Sequence, residues 1–158
     1  MSTAPQPGMV LAGKYRVEEI LGVGGMGAVV AAHHLQLDQK VAIKYLLPEA
    51  IKNPEVVERF AREARAAAKI RGEHVVRVID VGHFDDGSPY MVMEYLEGHD
   101  LAKELLEKAP LRTADVARYI LEACEALAEA HAARIVHRDL KPQNLFLSIQ
   151  PGQRSIVK

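Results

Sequence analysis

One cysteine, no tryptophan and 5% aromatic residues remove several protein classes from consideration for these 158 residues. With Cys124 alone, no intrachain disulfide can form, and a reducing compartment is implied. Cys124 falls inside a helical pattern and reads as a small buried apolar residue, not a nucleophile. No apolar run approaches the roughly 18 residues that a membrane span requires. Neither sign of charge dominates. Lys and Arg number 20 against 21 Asp and Glu, and the net charge of −1 gives no case for nucleic acid or an anionic membrane as partner. The histidines are scattered without metal-site spacing; His33 and His34 sit on a strand or its exit, and His131 lies near a helix end, where it suits the dipole. The lead, residues 1–10, carries Pro5 and Pro7 but neither a basic cluster nor an apolar stretch. It reads as disordered, not as a signal peptide. What remains is a chain with 49% hydrophobic residues, enough for a core, and a length that suggests one domain.

The densest chemistry lies in His137-Arg138-Asp139-Leu140-Lys141-Pro142-Gln143-Asn144. A carboxylate, an ammonium and an amide fall within six positions around Pro142. Proline fixes its own φ and disfavours the α region for Lys141, so the segment should be a shaped loop. Such a set suits phosphoryl transfer: the carboxylate accepts a hydroxyl proton, the ammonium meets phosphoryl charge, and the amide oxygen coordinates a hard cation such as Mg²⁺. His137 reads as a packing and hydrogen-bonding residue of that loop.

Upstream, Tyr15 to Val30 reads as strand, glycine loop, strand. Glycines 22, 24 and 27 permit backbone N–H groups to approach phosphate oxygens. A dinucleotide-binding turn uses the same letters but opens a helix. Here Ala28-Val29-Val30-Ala31-Ala32 follows, and then the strand Lys40–Lys44, which argues for a hairpin lid; a plain glycine-rich turn is the alternative. Val41 and Ile43 point to one face of their strand, Ala42 and Lys44 to the other. Asn53 as N-cap and Pro54 in the first turn start a helix that Gly72 can end. At about 100° per residue, Val56, Phe60, Ala67 and Ile70 share a face with Glu63 in its middle. A carboxylate there needs a cation, and Lys44 is the candidate if the helix docks on the strand; otherwise Glu63 is a rim residue on a narrower stripe.

Strands are expected over Val75–Val81 and Pro89–Tyr95, joined by a turn at Asp85-Asp86-Gly87. Glu97-Gly98 breaks the pattern, and a helix starts near Asp100, which could cap that helix or reach a ribose. Thr113 reads as the N-cap of a long helix bearing Val116, Tyr119, Ile120, Ala123, Leu127 and Ala130. After the loop come a short strand at Leu145–Leu147, a turn at Pro151-Gly152-Gln153 and a returning strand from Ser155.

The loop His137–Asn144 resembles the catalytic loop of eukaryotic-like, bacterial-looking serine/threonine protein kinases, and Lys141-Pro142 resembles the serine/threonine branch. Glycine loop, Lys44, Glu63 and catalytic loop stand in that family's order. The resemblance implies an α+β, protein-kinase-like fold: a five-stranded antiparallel N-lobe sheet plus one helix over residues 11–96, with the hinge at its end. Residues 97–158 would hold the first helices and catalytic loop of a helical C-lobe. It implies ATP and Mg²⁺ as cofactors and a Ser/Thr-bearing protein as substrate. Asp139 would be the catalytic base, Lys141 would contact the γ-phosphate and Asn144 would hold Mg²⁺. The nucleotide would lie against Leu21, Gly22, Val23, Gly24, Gly25, Met26, Gly27, Val29 and Ala42. Lys44, tethered by Glu63, would hold the α- and β-phosphates; Met93 would be the gatekeeper, and the backbone of Glu94 and Leu96 would meet the adenine. The family's Asp-Phe-Gly carboxylate is expected just beyond Lys158. The chain is therefore expected to be an incomplete, inactive piece, with one face of the Thr113–Ala133 helix uncovered. A cytoplasmic location follows for this part, while the parent could be anchored through a C-terminal part. The alternative is a non-catalytic nucleotide-binding or interaction module derived from a kinase.

Overall fold

Val17, Val30, Val41, Ile43 and Val92 recur at alternate positions along four segments, and in the structure they meet on one face of an antiparallel sheet. The structure is a computed structural model and describes residues 5–149 and 152–158. The sheet comprises β1 (Val10–Leu11), β2 (Tyr15–Val23), β3 (Gly27–His34), β4 (Gln39–Leu46), β5 (Val78–His83) and β6 (Pro89–Glu94), in the order β1-β2-β3-β4-β6-β5. The five expected strands are β2 to β6. The short β1 is an addition: Gly8 N–H donates to the Val17 carbonyl and Val17 N–H to the Met9 carbonyl, both at 2.8 Å. The end of the expected lead thus has backbone partners on the edge of β2; its first four residues lie outside the described set.

Register decides which side chains share the opposite face. Gly22 stands opposite Val29, Val29 opposite Lys44, Lys44 opposite Met91, and Ala42 opposite Met93. Beside them packs α2 (Pro54–Ala67), which follows the short α1 (Pro48–Ile51). The Asn53 side chain caps α2 by accepting the Glu55 N–H at 3.0 Å. Phe60 and Ala64 of α2 bury against Leu46 and Met91, with Val56, Val57, Val78 and Val81 around them. Each such large apolar side chain removed from water contributes roughly 1.5–3 kcal/mol. The Asp85-Asp86-Gly87 turn forms as expected, with Gly87 at φ +81° and Phe84 and Ser88 bonded across it.

The chain divides into two compact units. One runs to Ala68 and resumes over Arg77–Tyr95; the other is Lys69–Val76 with Leu96–Lys158. The second unit contains β7 (Gly98–Asp100), α3 (Leu101–Lys108), α4 (Thr113–Ala132), β8 (Phe146–Ser148) and β9 (Ile156–Val157), with the sheet ordered β7-β8-β9. Lys69–Val76 belongs to it through its own hydrogen bonds: Gly72 N–H to the Glu129 carboxylate, and His74 to the Val157 carbonyl. The core of this unit is Leu101, Tyr119, Ala123, Leu147 and Val157.

Of the two roles open to Asp100, the cap is the one observed, its carboxylate accepting the Lys103 N–H at 2.8 Å. Thr113 is not the cap of α4 but its first residue; Arg112 takes the cap position and forks onto Asp115 instead. Cys124 is exposed, against expectation. The buried ridge of α4 runs through Tyr119, Glu122, Ala123 and Ala130, and Cys124 lies one further step of about 100° round the helix. Val116, Ile120 and Leu121 are also exposed. The Pro151 part of the expected turn lies outside the described residues. Among the described residues no helix is long and apolar enough to cross a membrane.

Candidate active site

Helix α4 delivers the chain to the loop. Beyond it Arg138 adopts a left-handed φ of +65°, a conformation that costs a non-glycine residue on the order of 1–2 kcal/mol and that concentrates at functional sites. Asp139 N–H then donates to His137 Nδ1 at 3.3 Å, so His137 serves the loop as a hydrogen-bonding residue. Lys141 is extended (φ −157°, ψ 162°) ahead of Pro142, as the proline requires. Pro142 opens a single 3-10 turn, Pro142–Asn144, which brings Asn144 back onto Asp139.

One carboxylate oxygen gathers this loop together. Asp139 Oδ2 receives Lys141 Nζ at 2.9 Å and Asn144 Nδ2 at 3.0 Å, and Nδ2 also donates to the Asp139 carbonyl at 2.8 Å. Lys141 first, and then Asn144, hold the Asp139 carboxyl below the usual carboxylate range. The group is open to solvent, with its side chain 64% exposed. Its native charge-holding contacts are therefore complete above the ordinary carboxylate range and are lost as pH falls through the depressed value. Lys141→Met is expected to move the Asp139 titration upward toward the ordinary range, read by carbon-detected NMR of the carboxyl. An unchanged midpoint would mean the contact is not kept in solution.

The donor set suits Mg²⁺ in a limited way. With its amide nitrogen committed to Asp139, Asn144 presents its amide oxygen as a hard ligand. No group of three or more His, Cys, Asp or Glu residues that could cage a metal occurs among the described residues. Mg²⁺ takes one or two protein oxygens and completes its shell with water and phosphate, so a lone amide oxygen fits it better than it fits a structural metal.

In the first unit, β2 and β3 carry the glycine loop between them. Gly24 N–H donates to the Gly27 carbonyl at 2.8 Å and Leu47 N–H to Met26 at 3.0 Å. Gly27 is irreplaceable sterically: a Cβ there would stand 2.6 Å from the Tyr45 carbonyl oxygen. Gly22 and Gly25 have nothing within 4 Å of such an atom, so the chain's own packing does not demand them. Their bareness leaves room over the backbone, as a phosphate-cradling loop needs. Leu21, Val23 and Met26 are exposed, Val29 is half-buried and Ala42 is buried. Met93 and Leu96 are half-buried. Glu94 N–H donates to the Arg77 carbonyl and its carboxylate accepts the Arg77 N–H.

Lys44 and Glu63 are not brought together. No ion pair joins them, and Glu63 is 64% exposed with Arg59 Nε 3.9 Å away. The buried ridge of α2 is centred on Phe60, Ala64 and Val57, which turns Glu63 to its rim, where water solvates it and no partner is forced. Counting Val57 and Ala64 in the helical stripe would have moved its centre away from Glu63.

A family model described as the protein kinase domain matches residues 15–158. The chain belongs to the protein kinase family. The kinase pkn3 of Myxococcus xanthus is 38% identical over 151 residues, covering 96% of this chain and 28% of that protein. The kinase PrkC of Bacillus subtilis is 36% identical over 140 residues, covering 89% of this chain and 22% of its own length. Among solved structures, the Mycobacterium tuberculosis PknI kinase domain superposes with a TM-score of 0.80 at 31% identity, covering 98% of this chain and 62% of that one. The chain thus spans about a quarter of these curated kinases and under two thirds of that kinase-domain structure. Kinases of this family use ATP and Mg²⁺.

Proposed function

We propose that this chain supplies the nucleotide-holding and proton-accepting residues of a kinase that transfers the γ-phosphate of ATP to a serine or threonine hydroxyl of a protein. The observation that carries this reading is the state of Asp139. One carboxylate oxygen is engaged by Lys141 and Asn144 while Oδ1 has no hydrogen-bond partner among the described residues. An ionised, oriented carboxylate with one open oxygen can accept the hydroxyl proton as the hydroxyl oxygen bonds to the γ-phosphorus and the bond to the β–γ bridging oxygen breaks. Lys141 stabilises charge on the γ-phosphoryl oxygens, and Asn144 contributes its amide oxygen to Mg²⁺, which when bound neutralises phosphate charge.

The remaining roles fall to the first unit. The backbone from Leu21 to Gly27 covers the phosphates, Val29 and Ala42 pack on the adenine beside the gatekeeper Met93, and the backbone of Glu94 and Leu96 takes its polar edge. Lys44 holds the α- and β-phosphates. It does so without Glu63, which faces Arg59. A cytoplasmic, ATP-supplied location goes with this chemistry.

Binding is tested on this chain and transfer on the full-length gene product. Lys44→Met is expected to weaken Mg-ATP binding in calorimetry by about 10–100-fold, the loss of one charge-assisted contact. ATP binding with no transfer in the full-length protein would favour the non-catalytic reading, for which the unmade Lys44–Glu63 pair speaks. No measurable ATP binding would dismiss every nucleotide-binding reading and leave the interaction module.

A further inference from the structure

Strand β9 has two edges, and they are satisfied in different ways. On one, it pairs with β8, and Phe146 and Lys158 exchange both backbone hydrogen bonds at 2.8 Å. On the other, side chains among the described residues meet the backbone of Ser155 and Val157. Glu122 Oε2 accepts the Val157 N–H at 2.8 Å. His74 Nδ1 lies 2.9 Å from the Val157 carbonyl, which can only accept, so Nδ1 carries the hydrogen and donates. Arg118 Nη1 donates to the Ser155 carbonyl at 2.8 Å and to Glu122 Oε1 at 3.0 Å.

This arrangement is buried and specific. Glu122 is 6% exposed, and a carboxylate taken out of water persists only when cations and donors surround it. Arg118, the more distant Arg154 at 3.7 Å and His74 at 4.0 Å do so. The Nε2 of His74 faces the exposed Glu125 at 3.4 Å. None of these residues has a part in the chemistry proposed above. Yet β8, which β9 supports, begins two residues after Asn144, and the Leu145 carbonyl between them accepts the Leu101 N–H at 2.8 Å.

We propose that His74, Arg118 and Glu122 are positioning residues. They clamp the outer edge of β9 and, through β8, hold the backbone from which the amide of Asn144 is presented. The Mg²⁺ role of that amide rests on the kinase reading; the clamp itself does not.

The test uses this chain and amide hydrogen exchange followed by NMR. Glu122→Ala is expected to accelerate exchange at Val157, Lys158 and Phe146 by at least about tenfold and to broaden the side-chain amide signals of Asn144, while Ile43 and Val92 of the other unit keep their protection. Glu122→Gln retains an acceptor for the Val157 N–H and should restore protection to within about threefold of the parent. Should Glu122→Ala fail to fold, His74→Ala, which removes the donor to the Val157 carbonyl and the contact with the exposed Glu125, serves for the same comparison. The proposal is overturned if Val157 loses protection while Phe146 and Asn144 do not change, or if Gln proves no better than Ala. None of these readouts involves ATP. A chain that shows the clamp but whose full-length protein transfers no phosphate would refute the kinase reading alone.

Discussion

If Asp139 is the proposed proton acceptor, Asp139→Asn is expected to lower phosphoryl transfer by about 10²–10⁴-fold, the usual weight of a positioned general base, and to leave Mg-ATP affinity within about twofold. Asn keeps an oxygen that can accept the hydrogen bonds of Lys141 and Asn144, which now meet on Oδ2 at 2.9 and 3.0 Å. The loop should therefore survive, helped by Pro142 and by the backbone bond from Asn144 N–H to the Lys141 carbonyl at 2.9 Å. What is lost is the capacity to take up a proton. Rate assays with radiolabelled ATP on the full-length protein, paired with calorimetry, separate the two effects. Equal loss of binding and rate would instead make Asp139 a structural anchor of its loop.

Gly98→Ala unfolds the second unit more readily than any loop substitution of comparable size, by about 2–4 kcal/mol, or roughly 10 °C or more in melting temperature for a unit this small. Gly98 has φ +139°, a region essentially reserved for glycine, and a Cβ there would collide with the Leu147 carbonyl oxygen. That atom is backbone within β8, where Gly98 pairs with Ser148, so it cannot swing aside as a side chain would. Relief would require β7 and β8 to separate, and β8 begins two residues after Asn144. Gly152→Ala is the control. Gly152 also has a positive φ, +74°, but open space around it, and its cost should stay near 1 kcal/mol. Equal melting temperatures for the two variants would show that the close approach is not kept in solution.

Much of this protein could be read without coordinates because local rules agreed with the fold. Alternation placed Val41 and Ile43 in one layer and Lys44 in the other, and the register bears this out. Asn53 and Asp100 marked helix starts through hydrogen bonds made within three residues, and Pro54 through its fixed φ. The shape of the loop around Pro142 followed from the proline itself. What sequence reading missed were contacts between distant segments. Periodicity suggests a stripe on a helix, but the stripe's centre depends on what packs there. Spacing alone leaves Glu63 either in the middle of the stripe or on its rim, and the rim is what packing selects; Cys124 fits the helical pattern yet lies outside.

The order and chemistry of the motifs, and with them membership of the kinase family, were determined by the sequence alone, since a carboxylate, an ammonium and an amide spaced around a proline are properties of adjacent residues. The tertiary structure decided the choice of partners: Arg59 for Glu63, the two donors on one oxygen of Asp139, and the closing of β9's free edge by His74, Arg118 and Glu122. An ion pair or a strand edge is completed by whichever group folding brings within about 3–4 Å, and spacing along the chain does not encode that distance.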